Sequence, residues 1–220
     1  GCDAVVLCTS AVPAIKPLSL MKTMATKVLP FVKTSRPSFK FPKNGTPEEV
    51  DWLGAKKQID AAKQAGVKQF VFVSSMGGTN PDNFLNSIGR RKDGSGGDIL
   101  LWKRKAERYL VESGVPYTII HPGGLVDEDG SKRELVVGVN DEIMKNPDFA
   151  SGGTRSVARA DVARVCKAAL GSASATGVAL DLVSKKAGDG TPTKDASSVF
   201  TSPGKYTYES AATDPPSIFS

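Results

Sequence analysis

The sequence predicts an α/β fold built on a parallel sheet, and three observations carry that prediction. Four short runs rich in β-branched and aromatic residues, 4–8, 69–73, 117–120 and 178–183, alternate with helical patterns. The first three runs are apolar at nearly every position, as in strands covered on both faces. An alternation of strand and helix calls for parallel strands joined by right-handed crossovers.

Taken in order, Ala4-Val5-Val6-Leu7-Cys8 is the first strand, entered directly after Gly1-Cys2-Asp3. A long loop follows, 12–46, and then a helix opened by Thr46-Pro47-Glu48-Glu49, in which Thr46 caps, Pro47 suits the first turn and Glu49 reaches back. Val50, Leu53, Ile59 and Ala62 are its expected core positions, and Gly66 is its stop. The second strand is 69–73. The second helix runs from about Asp98 to Ser113, with Leu101, Ala106, Tyr109 and Leu110 inward, and ends at Gly114. The third strand is 117–120, the third helix runs from about Asp161 to Leu170, and the fourth strand is 178–183. Residues 184–220 are rich in Ser, Thr, Pro and Gly and form an extension expected to be disordered beyond about 200. Residues 1–183 thus make one domain portion, within the size range of a single domain.

Composition excludes several classes of function. No run of about 18 apolar residues occurs, so no transmembrane segment is expected. Three cysteines, Cys2, Cys8 and Cys166, disfavour a disulfide scaffold and suit a reducing compartment, chloroplast or cytoplasm. One histidine, His121, leaves no zinc-type cluster, and no Gly-x-Ser-x-Gly accompanies it. The net charge of +6 is concentrated in Lys16, Lys22, Lys27, Lys33, Arg36, Lys40 and Lys43; the rest of the chain holds 22 basic and 23 acidic residues. A solvated loop accounts for this segment; the alternative is a site for a cofactor phosphate, an anionic surface or an acidic protein partner. The pattern is not that of a nucleic-acid binder, because the aromatics among these charges sit in a proline-rich loop.

In parallel α/β sheets ligands sit at the carboxyl ends of the strands. The exits here are Thr9-Ser10-Ala11-Val12, Ser74-Ser75-Met76-Gly77-Gly78 and His121-Pro122-Gly123-Gly124-Leu125. All are small, hydroxylic or glycine-rich, which permits close backbone approach and supplies hydrogen-bonding groups. Turns alone would also favour such residues.

Four motifs follow one another in order: Val73-Ser74-Ser75-Met76-Gly77-Gly78-Thr79-Asn80, Trp102-Lys103-Arg104-Lys105-Ala106-Glu107, Tyr117-Thr118-Ile119-Ile120-His121-Pro122-Gly123-Gly124-Leu125 and Ala158-Arg159-Ala160-Asp161-Val162-Ala163. Together they resemble the atypical short-chain dehydrogenase/reductase group of plants and algae, the NAD(P)-binding-domain proteins related to Tic62, over about residues 1–200. The resemblance implies a Rossmann-like, doubly wound parallel sheet with NADP(H), or NAD(H), at the strand ends. It implies that Thr9, Ser10, Ala11, Val12 and Ser74 lie along the cofactor, that Ser75 is the active-site serine and Lys105 the ribose-binding lysine, and that Pro122, Gly123 and Gly124 line the nicotinamide pocket. The expected chemistry is hydride transfer with a small carbonyl or quinone.

Two departures qualify that expectation. Active members carry a tyrosine four residues before the lysine, on one helix face, as the proton donor; counted from Lys105, this position is Leu101. His121 is either a substitute donor or a strand-end residue facing solvent or a backbone carbonyl. The glycine-rich dinucleotide turn is also absent, so the family match begins at the fourth strand of the fold and the sequence reads as N-terminally truncated. Gly94-Ser95-Gly96-Gly97 precedes a helix but follows no strand and reads as a loop insertion with Arg90, Arg91 and Lys92, the lesser alternative being a phosphate cradle. The alternatives to an enzyme are a non-catalytic NADP(H)-responsive regulatory or scaffold module and an inactive fragment.

Overall fold

A computed structural model describes residues 1–28, 38–146, 155–208 and 215, excluding the side chains of 20, 22 and 25–28. Of the basic segment, Lys33 and Arg36 therefore lie outside the described residues. The central sheet contains β1 (Ala4–Leu7), β4 (Gln69–Val73), β5 (Tyr117–Pro122), β7 (Leu135–Gly138) and β9 (Val178–Ser184), in the spatial order β1-β4-β5-β9-β7. The first four strands in that order are parallel, as the apolar runs predict, and β7 closes the far edge antiparallel to β9. β1 is the other edge, where Val6 is 41% exposed.

Between these strands lie β2 (Ala14–Ile15), α1 (Pro17–Val28), β3 (Phe39–Lys40), α2 (Ala55–Gln64), α3 (Phe84–Ser87), α4 (Ile99–Ser113), β6 (Gly124–Val126), α5 (Glu142–Lys145), β8 (Ser156–Ala158) and α6 (Arg159–Ala169). The short pairs β2–β3 and β6–β8 stand outside the main sheet.

Alternation along each strand assigns its side chains to two cores. Phe70, Phe72 and Ile119 pack with Ile59, Ala106 and Leu110 of α2 and α4 on one face. Val71, Ile120, Leu180 and Leu182 pack with Val162, Val165 and Ala169 of α6 on the other. This is the doubly wound arrangement, in which a continuous apolar strand feeds both layers.

The capping box forms as its residues predict: Thr46 N–H donates to Glu49 at 3.0 Å, and Glu49 N–H donates to the Thr46 hydroxyl at 3.3 Å. Gly66 takes the left-handed conformation expected of a helix stop, φ +64°. One local expectation fails. Glu48–Gly54 winds as a π-helix before α2 begins, which turns Asp51 into the protein and leaves Leu53 at the surface.

Residues 201–208 also depart from expectation. Tyr206 lies over His121 with ring centroids 4.6 Å apart, and Thr207 N–H donates to the Asn140 side chain at 2.9 Å. Two half-buried aromatics, Tyr206 and Tyr208, hold this stretch where its Ser/Thr/Gly/Pro composition predicts disorder.

Candidate functional site

The exits of β1, β4 and β5 meet at one end of the sheet. Ser74 N–H donates to Ile120 O at 2.8 Å and Met76 N–H to Pro122 O at 3.1 Å, so the β4–β5 pairing runs on past the strands. The β1 exit is tied in by a carboxylate: Ala11 N–H donates to Asp51 at 3.1 Å, and the other oxygen of Asp51 pairs with Lys103 Nζ at 2.8 Å. Both charged groups are buried, Lys103 at 5% exposure. A buried pair of this kind persists only when each partner compensates the other's lost hydration.

These exits enclose a cavity of about 270 Å³, with Cys8, Ser10, Ser74, Ser75, Lys103 and Gly123 on its wall. Pro122 also lines it, whereas Gly124 lines a neighbouring cavity of about 220 Å³ shared with Ser75 and Gly123. Gly123 cannot carry a side chain, since a Cβ would overlap Arg155 O and lie 2.9 Å from Val183.

The remaining expected residues lie elsewhere. Thr9 is exposed, Val12 is 73% exposed, and Ala11 is buried under Asp51; none of the three lines the cavity. Lys105 faces two aromatic rings instead, with Nζ 5.0 Å from the Trp52 centroid and 5.5 Å from Trp102. Helix geometry explains the exchange: 100, 103, 107 and 110 share one face of α4, and 102, 105 and 109 another. The lysine at the cavity is Lys103, and the cavity residue four positions before it is Ile99, not Leu101.

Behind the cavity lies a buried polar row that local sequence patterns do not disclose. Asp181 pairs in register with His121, and Ser74 follows Val73, the partner of Ile120, so the three occupy adjacent strands on the α4 face. Glu107, from α4, accepts from Ser74 Oγ and bonds His121 Nε2 at 3.0 Å. His121 Nδ1 lies 3.2 Å from Leu180 O and 3.5 Å from Asp181. His121 is only 1% exposed, so it faces a backbone carbonyl but not solvent, and it does not line the cavity.

The charges of this row sustain one another. Burial opposes ionisation of Glu107, but the His121 charge and hydrogen bonds from His121 and Ser74 hold its carboxyl below the usual range. Burial likewise works against a charged His121, and Glu107 overcomes it, raising the imidazole above its ordinary value. Asp181 is pushed up to about 6 by burial, against the opposing pull of His121. Its other oxygen accepts Asp141 N–H at 2.8 Å. Asp141 in turn accepts from Gly77 N–H at 2.6 Å and Thr79 N–H at 2.9 Å, which fixes the glycine-rich β4 exit.

Comparison with known proteins gives this geometry a family. Residues 1–173 match the model of a family described as NAD(P)H-binding. The chain belongs to the NAD(P)H-binding family. The chloroplastic protein At2g37660 of Arabidopsis thaliana, itself called uncharacterized, is 52% identical over 201 residues, covering 91% of this chain and 55% of that protein. Sanguinarine reductase of Eschscholzia californica is 42% identical over 207 residues, covering 91% of this chain and 71% of that enzyme. The chain thus spans about half the length of the first of these relatives. The expected kinship with Tic62 is borne out by the chloroplastic Tic62 of Arabidopsis thaliana, 43% identical over 79 residues, 36% of this chain and 12% of that protein. A solved structure from Bacillus halodurans, assigned to the NAD-dependent epimerase/dehydratases, superposes with a TM-score of 0.56 at 25% identity, covering 90% of this chain and 68% of that one. The fold is therefore the Rossmann-like one that the sequence resemblance implies. Among the described residues, no helix is long and apolar enough to cross a membrane, and no group of metal-ligating side chains forms.

Proposed function

We propose that the strand-end cavity takes the nicotinamide–ribose end of NADP(H), with NAD(H) as the alternative, and that the intact protein is an oxidoreductase acting on a small carbonyl or quinone in the chloroplast. The observation that carries this reading is the convergence of Ser10, Ser74, Ser75 and the buried ammonium of Lys103 on one cavity at the carboxyl ends of parallel strands. Its size, about 270 Å³, suits one end of a dinucleotide and is too small for the whole, since ligand sites usually span about 300–1,000 Å³. A bound nicotinamide supplies or accepts the hydride. Lys103 donates to the ribose hydroxyls and Ser75 to the substrate oxygen, while Pro122 and Gly123 form the wall opposite. The chloroplast assignment rests on the compartment of the relative from Arabidopsis thaliana.

A second reading, a non-catalytic NADP(H)-responsive module, draws support from Ile99. It occupies the place of a proton-donating tyrosine on the Lys103 face, and among the described residues no tyrosine, histidine or carboxylate lines the cavity. Losing a positioned general acid costs about 10²–10⁴-fold in rate.

Cys8 supplies the test, being exposed and on the cavity wall, whereas Cys2 is exposed and outside it. NADPH is expected to slow alkylation of Cys8 by iodoacetamide about tenfold while leaving Cys2 unchanged. Equal labelling of Cys8 with and without NADPH removes the cofactor reading. If NADPH protects Cys8, steady NADPH oxidation with a panel of aldehydes and quinones selects the oxidoreductase, and its absence selects the module.

A further inference from the structure

A second cavity, of about 370 Å³, lies beyond Phe41, whose ring lines both it and the strand-end cavity. Its wall carries five cations from two separate stretches of chain: Lys16 and Lys40 from the basic segment, and Arg90, Arg91 and Lys92 from the insertion. The insertion is shaped by its glycines. One edge of the Phe41 ring abuts Gly89, where a Cβ would come within 2.6 Å of it, and Arg91 N–H donates to Ser95 O at 2.8 Å across the loop. Gly89 and Gly96 both take positive φ, +76° and +72°, and close the loop beneath the three cations.

Among the described residues, no carboxylate lines this cavity. Arg90 is paired with Asp98, but among the described residues no ion pair engages Lys16, Lys40, Arg91 or Lys92. Asp93 feels the charge of Arg91, yet its carboxylate is occupied by the Ser95 N–H at 3.0 Å and hydroxyl at 2.7 Å. Like charges gathered around a concave, partly apolar wall raise the local positive potential, and an anion relieves it.

We propose that this cavity is an anion subsite, binding a phosphate or carboxylate group on a substrate whose apolar part lies across Phe41 toward the strand-end cavity. The proposal rests on the reading of that cavity as the nicotinamide site, and it makes the preferred substrate an acidic aromatic or quinone-type molecule. The cations act by charge and hydrogen bonding alone, and no covalent step is involved. Lys16 and Lys40 of the basic segment and the three cations of the insertion then serve one site.

The test measures, by calorimetry on the intact protein with NADPH present, the binding of 1-naphthyl phosphate, 1-naphthol, a 1-naphthyl trimethylammonium salt and inorganic phosphate. The expected order is naphthyl phosphate tightest, naphthol and inorganic phosphate each at least about tenfold weaker, and the cation undetectable. Reversing two charges in the exposed loop, Arg91→Glu with Lys92→Glu, is expected to weaken naphthyl phosphate about tenfold or more and to leave the NADPH dissociation constant within about twofold. Lys40→Glu, on the opposite wall, is expected to act in the same direction. Binding of the cation as tight as that of the phosphate, or indifference of naphthyl phosphate to both sets of reversals, overturns the proposal. A parallel loss of NADPH affinity also overturns it, because the cations then serve a cofactor phosphate. Inorganic phosphate binding as tightly as naphthyl phosphate overturns the substrate assignment in favour of a free-anion site. Failure of NADPH to bind, with charge-dependent naphthyl phosphate binding retained, removes the cofactor reading and leaves the anion subsite standing.

Discussion

Replacing His121 by alanine is expected to lower the unfolding free energy by about 3–5 kcal/mol, the usual consequence of leaving one member of a buried ion pair uncompensated. Glu107 is 2% exposed, and His121 supplies both its nearest positive charge and one of its hydrogen bonds. Without the imidazole, that carboxylate keeps only the Ser74 hydrogen bond and the weaker pull of the Arg104 charge, and Tyr206 loses the ring it stacks on. Urea denaturation at pH 6 measures the loss, and a value under about 1 kcal/mol, typical of an exposed pair, contradicts the assignment. Glu107→Gln provides a second variant, because it keeps the shape and removes the charge that raises His121.

The pH dependence has a definite sign. His121 is raised above 6.5 in the folded state, so its contribution is full below pH 6.5 and is lost as pH climbs through the raised value. Glu107 is lowered below 4.5, so its contribution is present above pH 4.5 and disappears as pH falls through the lowered value. Asp181 works in the opposite sense. With its carboxyl raised from 3.8 to about 6, the folded state loses stability as pH rises across that interval. The difference between wild type and His121→Ala is therefore largest between pH 4.5 and 6.5 and shrinks on the alkaline side.

How much of this was legible from sequence depends on how local each signal is. Residues 69–73 read as a buried strand because their apolar run needs no partner to be recognised, and the structure keeps those bounds. Thr46 and Glu49 announce a helix start for the same reason. Ser74, His121 and Asp181 form a row only because three parallel strands align them, and strand register is set by tertiary packing. β7, the antiparallel edge, is four residues long and half-buried throughout, a pattern with no clear alternation to read. Tyr206 lies in a stretch whose composition signals disorder, and the groups that hold it are distant in sequence: the His121 ring it stacks on, Arg104, which donates to its hydroxyl at 3.2 Å, and Asn140, which accepts from Thr207. The cavity lysine, by contrast, was readable. Leu100, Lys103, Glu107 and Leu110 recur at helical spacing, and a charged residue inside an apolar stripe is an inward-facing one.

That last distinction yields the second large expected effect. Lys103→Met should weaken NADPH binding about tenfold, the loss of one charge-assisted hydrogen bond, and should also cost about 3 kcal/mol or more by stranding Asp51 in the interior. Lys105→Met should leave NADPH affinity unchanged and cost about 0.5–1 kcal/mol through its contacts with the Trp52 and Trp102 rings. Stability alone does not separate cofactor binding from packing, so Asp51→Asn is the decisive companion. It breaks the same ion pair yet keeps the ammonium at the cavity and an oxygen for Ala11 N–H. Asp51→Asn is therefore expected to lose stability as Lys103→Met does while retaining NADPH affinity within about threefold. If both variants lose affinity equally, Lys103 acts only by holding the β1 exit through Asp51. If Lys105→Met alone loses affinity, the two α4 faces have been exchanged and the cavity is not the cofactor site.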